Sequence, residues 1–288
     1  MMNGKFIVLT LVMLLAGFPA LAGTPISVSV SIKPLHSLVA AVMEGVSTPG
    51  LLIKGSASPH GFSLRPSVAR RIEDSDLVFR IGPGLEGALD RPLRVLPKKA
   101  KIIDLIADPG ILPLKNGDSH FWLDPGNAGA AVKRIYKELL KADPAHGPVF
   151  KRNMLRVLLR LGALNRKLKS LLVPVSKTPF VVLHDAYGYL ARAYGLTIAG
   201  SVSATPDRRP GARHMRELKK KIARLGIRCL FREPGFSGKS LDLLASSPKI
   251  KIGVLDPLGA ELKAGPELYF RLMEKNAAAL ASCLKYKP

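Results

Sequence analysis

Three of the six histidines in the 288-residue chain lie after segments that we predict to be β-strands. These are His60, His120 and His184, and Asp256 occupies the matching position after a fourth predicted strand. Because open α/β sheets bind ligands outside the carboxyl ends of their strands, these side chains are candidate binding groups. Three imidazoles and one carboxylate fill a tetrahedral shell that suits Zn²⁺. The pattern therefore predicts a metal site.

The spacing of these four residues leaves an alternative open. The intervals are 60, 64 and 72 residues, and no short motif such as His-Glu-x-x-His fixes their geometry locally. An isolated histidine is often a structural residue whose ring nitrogens are hydrogen-bonded within the fold. The equivalent placement of all three histidines at predicted strand ends is what favours a metal site.

Short β-rich segments alternate with helical segments along most of the chain. The predicted strands cover 26–32, 51–54, 77–81, 101–105, 180–183, 229–232 and 251–255. The predicted helices begin near residue 34 and at 65–67, and cover 127–140, 186–194, 214–225, 241–245 and 266–283. This alternation predicts an α/β fold with mostly parallel sheets flanked by helices.

One long helix interrupts the alternation near the middle of the chain. Apolar residues recur at three- and four-residue steps from Phe150 to Leu172, which predicts an amphipathic helix of about 25 residues and about 38 Å. We interpret it as a strut between two lobes with a cleft between them. The predicted organisation is an N-terminal α/β lobe over 23–142, a linking helix over 143–173 and a C-terminal α/β lobe over 174–288.

The first 22 residues have the pattern of a secretory signal. Lys5 precedes an apolar run over 6–18, and Ala20-Leu21-Ala22 is typical of a cleavage site before Gly23. The run is about 13 residues, whereas a membrane span needs about 20. An uncleaved membrane anchor is the alternative. We expect residues 1–22 to be removed and the rest of the chain to reside outside the cytoplasm.

The composition excludes several classes of protein. Hydrophobic residues make up 47% of the chain, too many for a disordered protein, and two cysteines are too few for a zinc ribbon or an iron–sulfur cage. The net charge of +23 is high. However, only 6% of the residues are aromatic and no basic run alternates with stacking rings, so we expect no nucleic-acid partner. A solvated basic surface, attracted to anionic envelope or partner surfaces, accounts better for the charge.

The two cysteines, Cys229 and Cys283, have two possible states in an exported protein. An oxidising compartment permits a disulfide between them, and closing a loop of 54 residues would stabilise the fold by about 4 kcal/mol. Two buried free thiols are the alternative. The residues alone leave both states open.

Five motifs appear in order along the chain. They are Ser58-Pro-His-Gly-Phe-Ser-Leu-Arg-Pro66, His120-Phe-Trp-Leu-Asp-Pro125, His184-Asp-Ala-Tyr-Gly-Tyr-Leu190, Glu233-Pro-Gly-Phe236 and Leu255-Asp-Pro-Leu-Gly259. Together they resemble the zinc-specific substrate-binding proteins of bacterial ABC uptake systems, members of the cluster A-I family of metal-binding proteins. The resemblance covers about residues 26–285.

This resemblance implies two α/β lobes joined by a rigid helix, with one metal ion in the cleft between them. By position, His60, His120 and His184 match the three zinc-binding histidines of the family. Asp256 matches an acidic position that binds metal in some relatives and stands back in others. Manganese-type relatives have a carboxylate in place of His184, so the resemblance favours Zn²⁺ over Mn²⁺, in keeping with the preference of Zn²⁺ for imidazole.

The resemblance also bears on the surrounding residues. Cys229 and Cys283 match a disulfide of zinc-type members. Asp185 and Glu233 are candidates for carboxylates that orient the imidazoles, although Asp185 could instead cap the following helix.

The leading functional hypothesis is a monomeric periplasmic zinc-binding protein that delivers Zn²⁺ to an ABC transporter permease and performs no catalysis. One alternative is a zinc chaperone without a transport role, or an envelope attachment protein, of the same fold. An exported zinc hydrolase is a further alternative, because three histidines and a bound water also describe a catalytic site.

Overall fold

The computed structural model describes residues 26–55, 57–207, 209–245 and 249–285. These residues form two four-stranded parallel sheets, one before and one after a long helix. The predicted signal over residues 1–22 lies outside the described residues. Among the helices of the described part, none combines the length and apolarity needed to cross a membrane.

The N-terminal sheet has the strand order β2-β1-β3-β4. Its strands are β1 (Val28–Val30), β2 (Gly50–Leu51), β3 (Leu77–Arg80) and β4 (Lys101–Asp104). Its helices are α1 (Lys33–Val42), α2 (Pro66–Glu73), α3 (Asp90–Val95) and α4 (Pro125–Ala142). Prolines near the starts of α1, α2 and α4 fit the first turn of a helix, where the backbone N–H has no intrahelical partner.

The long helix α5 (Gly147–Leu172) has 26 residues, close to the length predicted from its apolar pattern. At 1.5 Å per residue it spans about 39 Å. Short 3₁₀ turns at Pro144–His146 and Val173–Val175 flank it. One face is buried from Phe150 to Leu172 and packs against α1, α4 and the C-terminal helix of the chain, so α5 contacts elements on both sides of it in sequence.

The C-terminal sheet has the strand order β6-β5-β7-β8. Its strands are β5 (Phe180–His184), β6 (Ile198–Ser203), β7 (Cys229–Arg232) and β8 (Lys251–Val254). Its helices are α6 (Gly188–Tyr194), α7 (Ala212–Arg224), α8 (Lys239–Leu244) and α9 (Leu268–Leu284). The sequence analysis missed β6, which pairs with β5 along its whole length.

One continuous cluster of buried apolar side chains runs through both sheets and along α5. Polar contacts reinforce this junction. The Lys33 ammonium of α1 donates hydrogen bonds to the carbonyls of Gly259, Ala260 and Leu262, at 3.0, 2.7 and 3.1 Å. The Trp122 indole N–H donates to the Pro257 carbonyl at 2.8 Å. These bonds hold the loop after β8 against the N-terminal half of the molecule.

Cys229 and Cys283 form a disulfide, so the alternative of two free thiols is wrong. The bond joins β7 to α9 across 54 residues of sequence. It ties α9 to β7, which is the neighbour of β5 in the sheet. The final residue of β5 is His184.

Candidate metal centre

Three imidazoles meet at the carboxyl ends of the two sheets. His184 is the last residue of β5, His120 precedes a 3₁₀ turn over Phe121–Leu123, and His60 lies in the loop after β2. One ring nitrogen from each histidine lies within 4.8 Å of the other two. His120 and His184 are buried and His60 is half-buried. The structure thus brings together the three histidines that the sequence singled out.

The separations between the rings are close to those of a tetrahedral site. The Nε2 atoms of His120 and His184 are 3.4 Å apart. With Zn–N bonds of 2.0–2.1 Å and tetrahedral angles, two ligand nitrogens lie about 3.3 Å apart. The His60 ring centroid lies 5.5 Å from that of His120 and 5.9 Å from that of His184. A ring nitrogen of His60 lies within 4.8 Å of those of the other two histidines, so His60 is the third candidate ligand.

Two carboxylates orient two of the rings. His184 Nδ1 lies 2.7 Å from Glu233 Oε1, and His120 Nδ1 lies 2.7 Å from Asp118 Oδ1. A carboxylate accepts a hydrogen bond, so in the neutral form of each ring the proton sits on Nδ1 and the Nε2 lone pair is free. Both lone pairs are then available to a cation, an arrangement common among metal-binding histidines.

The sequence analysis proposed Glu233 for this role but missed Asp118. The available signal was the spacing Asp118-Ser-His120, in which the carboxylate accepts from both the backbone N–H and the ring of His120. The other oxygen of Asp118 is buried without a hydrogen-bond partner among the described residues. Gly188 leaves room for it, because a Cβ atom there would lie 2.9 Å from Asp118 Oδ2.

The His60 imidazole is held in its neutral form. Burial, and then the neighbouring rings of His120 and His184, lower the pKa of His60 to about 4. Its Nε2 atom is buried and has no hydrogen-bond partner within the described part of the chain. A neutral imidazole with an unused lone pair is what a metal ion requires of this ligand.

The space between the rings is very small. A cavity of about 10 Å³ is lined by the three imidazoles and by Pro59, Pro206, Phe236, Pro257 and Leu258. A volume of this size accepts one atom-sized guest, such as a water molecule or an ion. The largely apolar walls come from loops on both sides of the cleft, so they exclude solvent from the nitrogen face.

Comparison with known proteins identifies the family. A family model described as "Zinc-uptake complex component A periplasmic" matches residues 28–283. The chain belongs to this zinc-uptake family. It is 37% identical over 319 residues to the high-affinity zinc uptake system protein ZnuA of Brucella abortus, with 94% of this chain and 96% of that protein covered.

Two solved structures have the same fold. A crystal structure of ZnuA superposes with a TM-score of 0.80 at 24% identity, over 90% of this chain and 99% of that one. The laminin-binding protein Lmb of Streptococcus agalactiae, described as an adhesin with metal-transporting activity, gives a TM-score of 0.80 at 25% identity over the same shares.

In this member of the zinc-uptake family, Asp256 does not belong to the cluster of candidate metal ligands formed by His60, His120 and His184. Its Oδ1 accepts hydrogen bonds from the backbone N–H groups of Leu258 and Gly259, and its Oδ2 accepts one from Ala260. The carboxylate therefore shapes the loop whose Pro257 and Leu258 line the cavity. The expected position after β8 is correct, but the side chain is turned to its own loop.

Asp185 is also placed away from the imidazoles. Its side chain is exposed and forms no hydrogen bond with a histidine among the described residues. It does not cap the next helix, because α6 begins at Gly188 with Tyr187 as the preceding residue. Of the two carboxylates proposed to orient the rings, the structure brings only Glu233 to the site.

Proposed function

We propose that this protein is a periplasmic zinc-binding protein that captures Zn²⁺ between its two lobes and delivers it to an ABC transporter permease for import. The observation that carries the proposal is the convergence of three imidazoles on a cavity of about 10 Å³. Two further facts support the proposal: the chain belongs to the zinc-uptake family, and the Brucella relative is named a high-affinity zinc uptake system protein. The protein acts as a monomer, and its lobes correspond to the segments 23–142 and 174–288, on either side of the linking segment 143–173.

The proposed ligands are His60, His120 and His184, each through the nitrogen that faces the cavity. Glu233 and Asp118 hold two of the rings in the binding tautomer. Asp256 stays out of the coordination shell, because binding would require it to abandon three backbone N–H donors.

The donor set favours Zn²⁺ over Mn²⁺. Three imidazole nitrogens match the preference of Zn²⁺, whereas Mn²⁺ prefers oxygen ligands. The fold itself does not decide between the metals, since FpvC of Pseudomonas aeruginosa, solved in complex with Mn²⁺, gives a TM-score of 0.80 at 21% identity. The choice of metal therefore depends on the three imidazoles.

The same geometry argues against hydrolysis. A cavity of about 10 Å³ has no room for an organic substrate beside a metal ion. A role as an envelope attachment protein is the second candidate function, because the similar laminin-binding protein Lmb is described as both adhesin and metal transporter.

The experiment that tests transport is growth under zinc limitation. A strain that lacks the gene should grow poorly in chelator-treated medium and recover with the wild-type gene or with His214→Ala, since His214 is exposed on α7. The variant His184→Ala should fail to restore growth. Equal recovery with His184→Ala, or normal growth of the deletion strain with loss of adhesion, would overturn the transport role.

A further inference from the structure

The outer face of α7 concentrates positive charge. Residues 209–232 contain nine basic residues and one acidic residue, Glu217. Within α7, whose residues are all described, Leu218 and Ile222 are the buried side chains, and they pack toward the β6 side of the sheet. Most of the residues that point away from that contact are basic.

Four of these basic residues form a row on the exposed side of the helix. At 100° per residue, they lie on the side opposite Leu218 and Ile222. We name them the α7 basic row: Arg213, Arg216, Lys220 and Arg224. All four are exposed, and the row is about 17 Å long.

Little negative charge compensates this row. Among the described residues, the one carboxylate that pairs with it is Glu217, at 3.4 Å from Lys220, and both side chains of that pair are largely exposed. Exposed ion pairs of this kind contribute little. Lys219 and Lys221 flank the row and add to its positive potential.

The row also lacks the features of a specific protein interface. Such interfaces have an apolar core with aromatic anchors and are depleted in lysine. No large hydrophobic side chain is exposed within α7, all of which is described. Leu225, the exposed residue that follows, lies near the buried side of the helix. The α7 basic row is densely positive and has no apolar anchor, so it complements a surface of dense negative charge.

We propose that the α7 basic row binds the anionic phospholipid surface of a membrane. Basic residues close to such a surface each strengthen binding about fivefold, and the attraction extends over about a Debye length. Because α7 connects the carboxyl end of β6 to the start of β7, it runs along the side of the lobe, away from the histidine edge. The bilayer therefore contacts the flank of the molecule and leaves the metal site uncovered.

Sedimentation with lipid vesicles tests the proposal on the exported, processed protein. The vesicles contain phosphatidylcholine alone or with 30% phosphatidylglycerol. One variant carries Arg213→Gln, Arg216→Gln, Lys220→Gln and Arg224→Gln. The matched control removes four exposed basic residues of α5, with Lys151→Gln, Arg152→Gln, Arg166→Gln and Lys169→Gln.

Wild-type protein should bind the anionic vesicles at low salt and dissociate at about 0.5 M salt, with no binding to phosphatidylcholine alone. The α7 variant should lose two to three orders of magnitude in partition coefficient, about fivefold for each residue. The α5 control should lose less than tenfold, although its net charge is the same. Both variants should bind zinc as the wild type does, which verifies that they are folded.

Two outcomes would overturn the proposal. Equal losses in the two variants would mean that the net charge of the whole molecule, and not α7, attracts the membrane. Absence of vesicle binding by the wild type, together with α7-dependent binding to immobilised polyglutamate, would assign the row to an acidic protein partner.

Discussion

Each buried histidine of the site depends on a carboxylate that fixes which nitrogen carries the proton. Glu233 and Asp118 each accept a hydrogen bond from a ring Nδ1 at 2.7 Å. Without that bond, the ring can rotate or place its proton on Nε2, and the lone pair is then lost to the metal. The affinity of the site therefore depends also on two carboxylates that are not among the proposed ligands.

Replacement of Glu233 should weaken zinc binding without abolishing it. We expect Glu233→Gln to reduce the zinc affinity by about 10- to 100-fold, because the amide holds His184 less firmly in the binding tautomer. Competition with a fluorescent zinc chelator measures the change. The control is Asp185→Asn, next to His184 in sequence but exposed, which should leave the affinity unchanged. An effect of equal size in both variants would contradict this role for Glu233.

At this scale, the sequence predicts residue types better than side-chain directions. The three histidines and Glu233 could be found because each follows a predicted strand or lies in a recognisable motif. The directions of the Asp256 and Asp118 side chains could not be predicted in the same way. Both are carboxylates beside the cleft, and their roles are decided by which N–H groups the folded loops present to them.

The metal site depends on close packing at the start of α6. Gly188 faces Asp118, and a Cβ atom there would lie 2.9 Å from both Asp118 Oδ2 and a methyl group of Leu114. Such a contact is too close, so a side chain at this position must displace the carboxylate that orients His120. Close packing of this helix against the loop before His120 thus contributes to metal binding.

We expect Gly188→Ala to lower zinc affinity by about tenfold, because the displaced Asp118 no longer orients the His120 ring. Isothermal titration calorimetry measures the change. Gly162→Ala in α5 is the control, since a Cβ there meets a single neighbour, Arg166, at 3.8 Å. This control should keep full affinity and gain up to about 1 kcal/mol in stability from helix propensity. Unchanged affinity in Gly188→Ala would refute the packing argument.

The disulfide between β7 and α9 should contribute to the stability of the C-terminal sheet. Removal of both thiols, with Cys229→Ala and Cys283→Ala, should lower the free energy of unfolding by about 4 kcal/mol, as the chain-entropy model predicts for this loop. Urea unfolding measures this value. A reductant should lower the stability of the wild type and leave that of the variant unchanged. A difference below about 1 kcal/mol would show that the loop is constrained by other contacts.

Most elements could be predicted from periodicity, and the exceptions have physical causes. The strand β6 was missed because Ile198-Ala-Gly-Ser-Val-Ser203 mixes small and polar residues with few apolar ones. Pairing with β5, rather than local propensity, makes it a strand. The long helix α5 was predicted well, since its apolar stripe is sustained over seven turns.

The two lobes share one apolar core, and this determines how the whole molecule should unfold. Buried side chains are continuous from the N-terminal sheet, along α5, to α9 and the C-terminal sheet. Hydrogen bonds from Lys33 and Trp122 cross the same junction. Loss of packing in this shared cluster therefore exposes apolar side chains of both lobes, while a second apolar cluster belongs to the C-terminal lobe alone.

We expect a single cooperative unfolding transition. The one tryptophan of the chain, Trp122, lies at the junction, so its fluorescence reports on contact between the lobes, while far-ultraviolet circular dichroism reports on all helices. The two signals should have the same urea midpoint. Separate midpoints would contradict a shared core. Added zinc should raise both midpoints together, because it binds the folded state.

The central claim for the whole molecule is that three histidines from distant parts of the chain bind one zinc ion and that Asp256 does not. Metal analysis of purified protein by mass spectrometry tests this claim most directly. We predict one zinc per chain in the wild type and in Asp256→Asn, and almost none in His184→Ala. Retention of zinc by His184→Ala, or its loss from a folded Asp256→Asn, would contradict the proposed site.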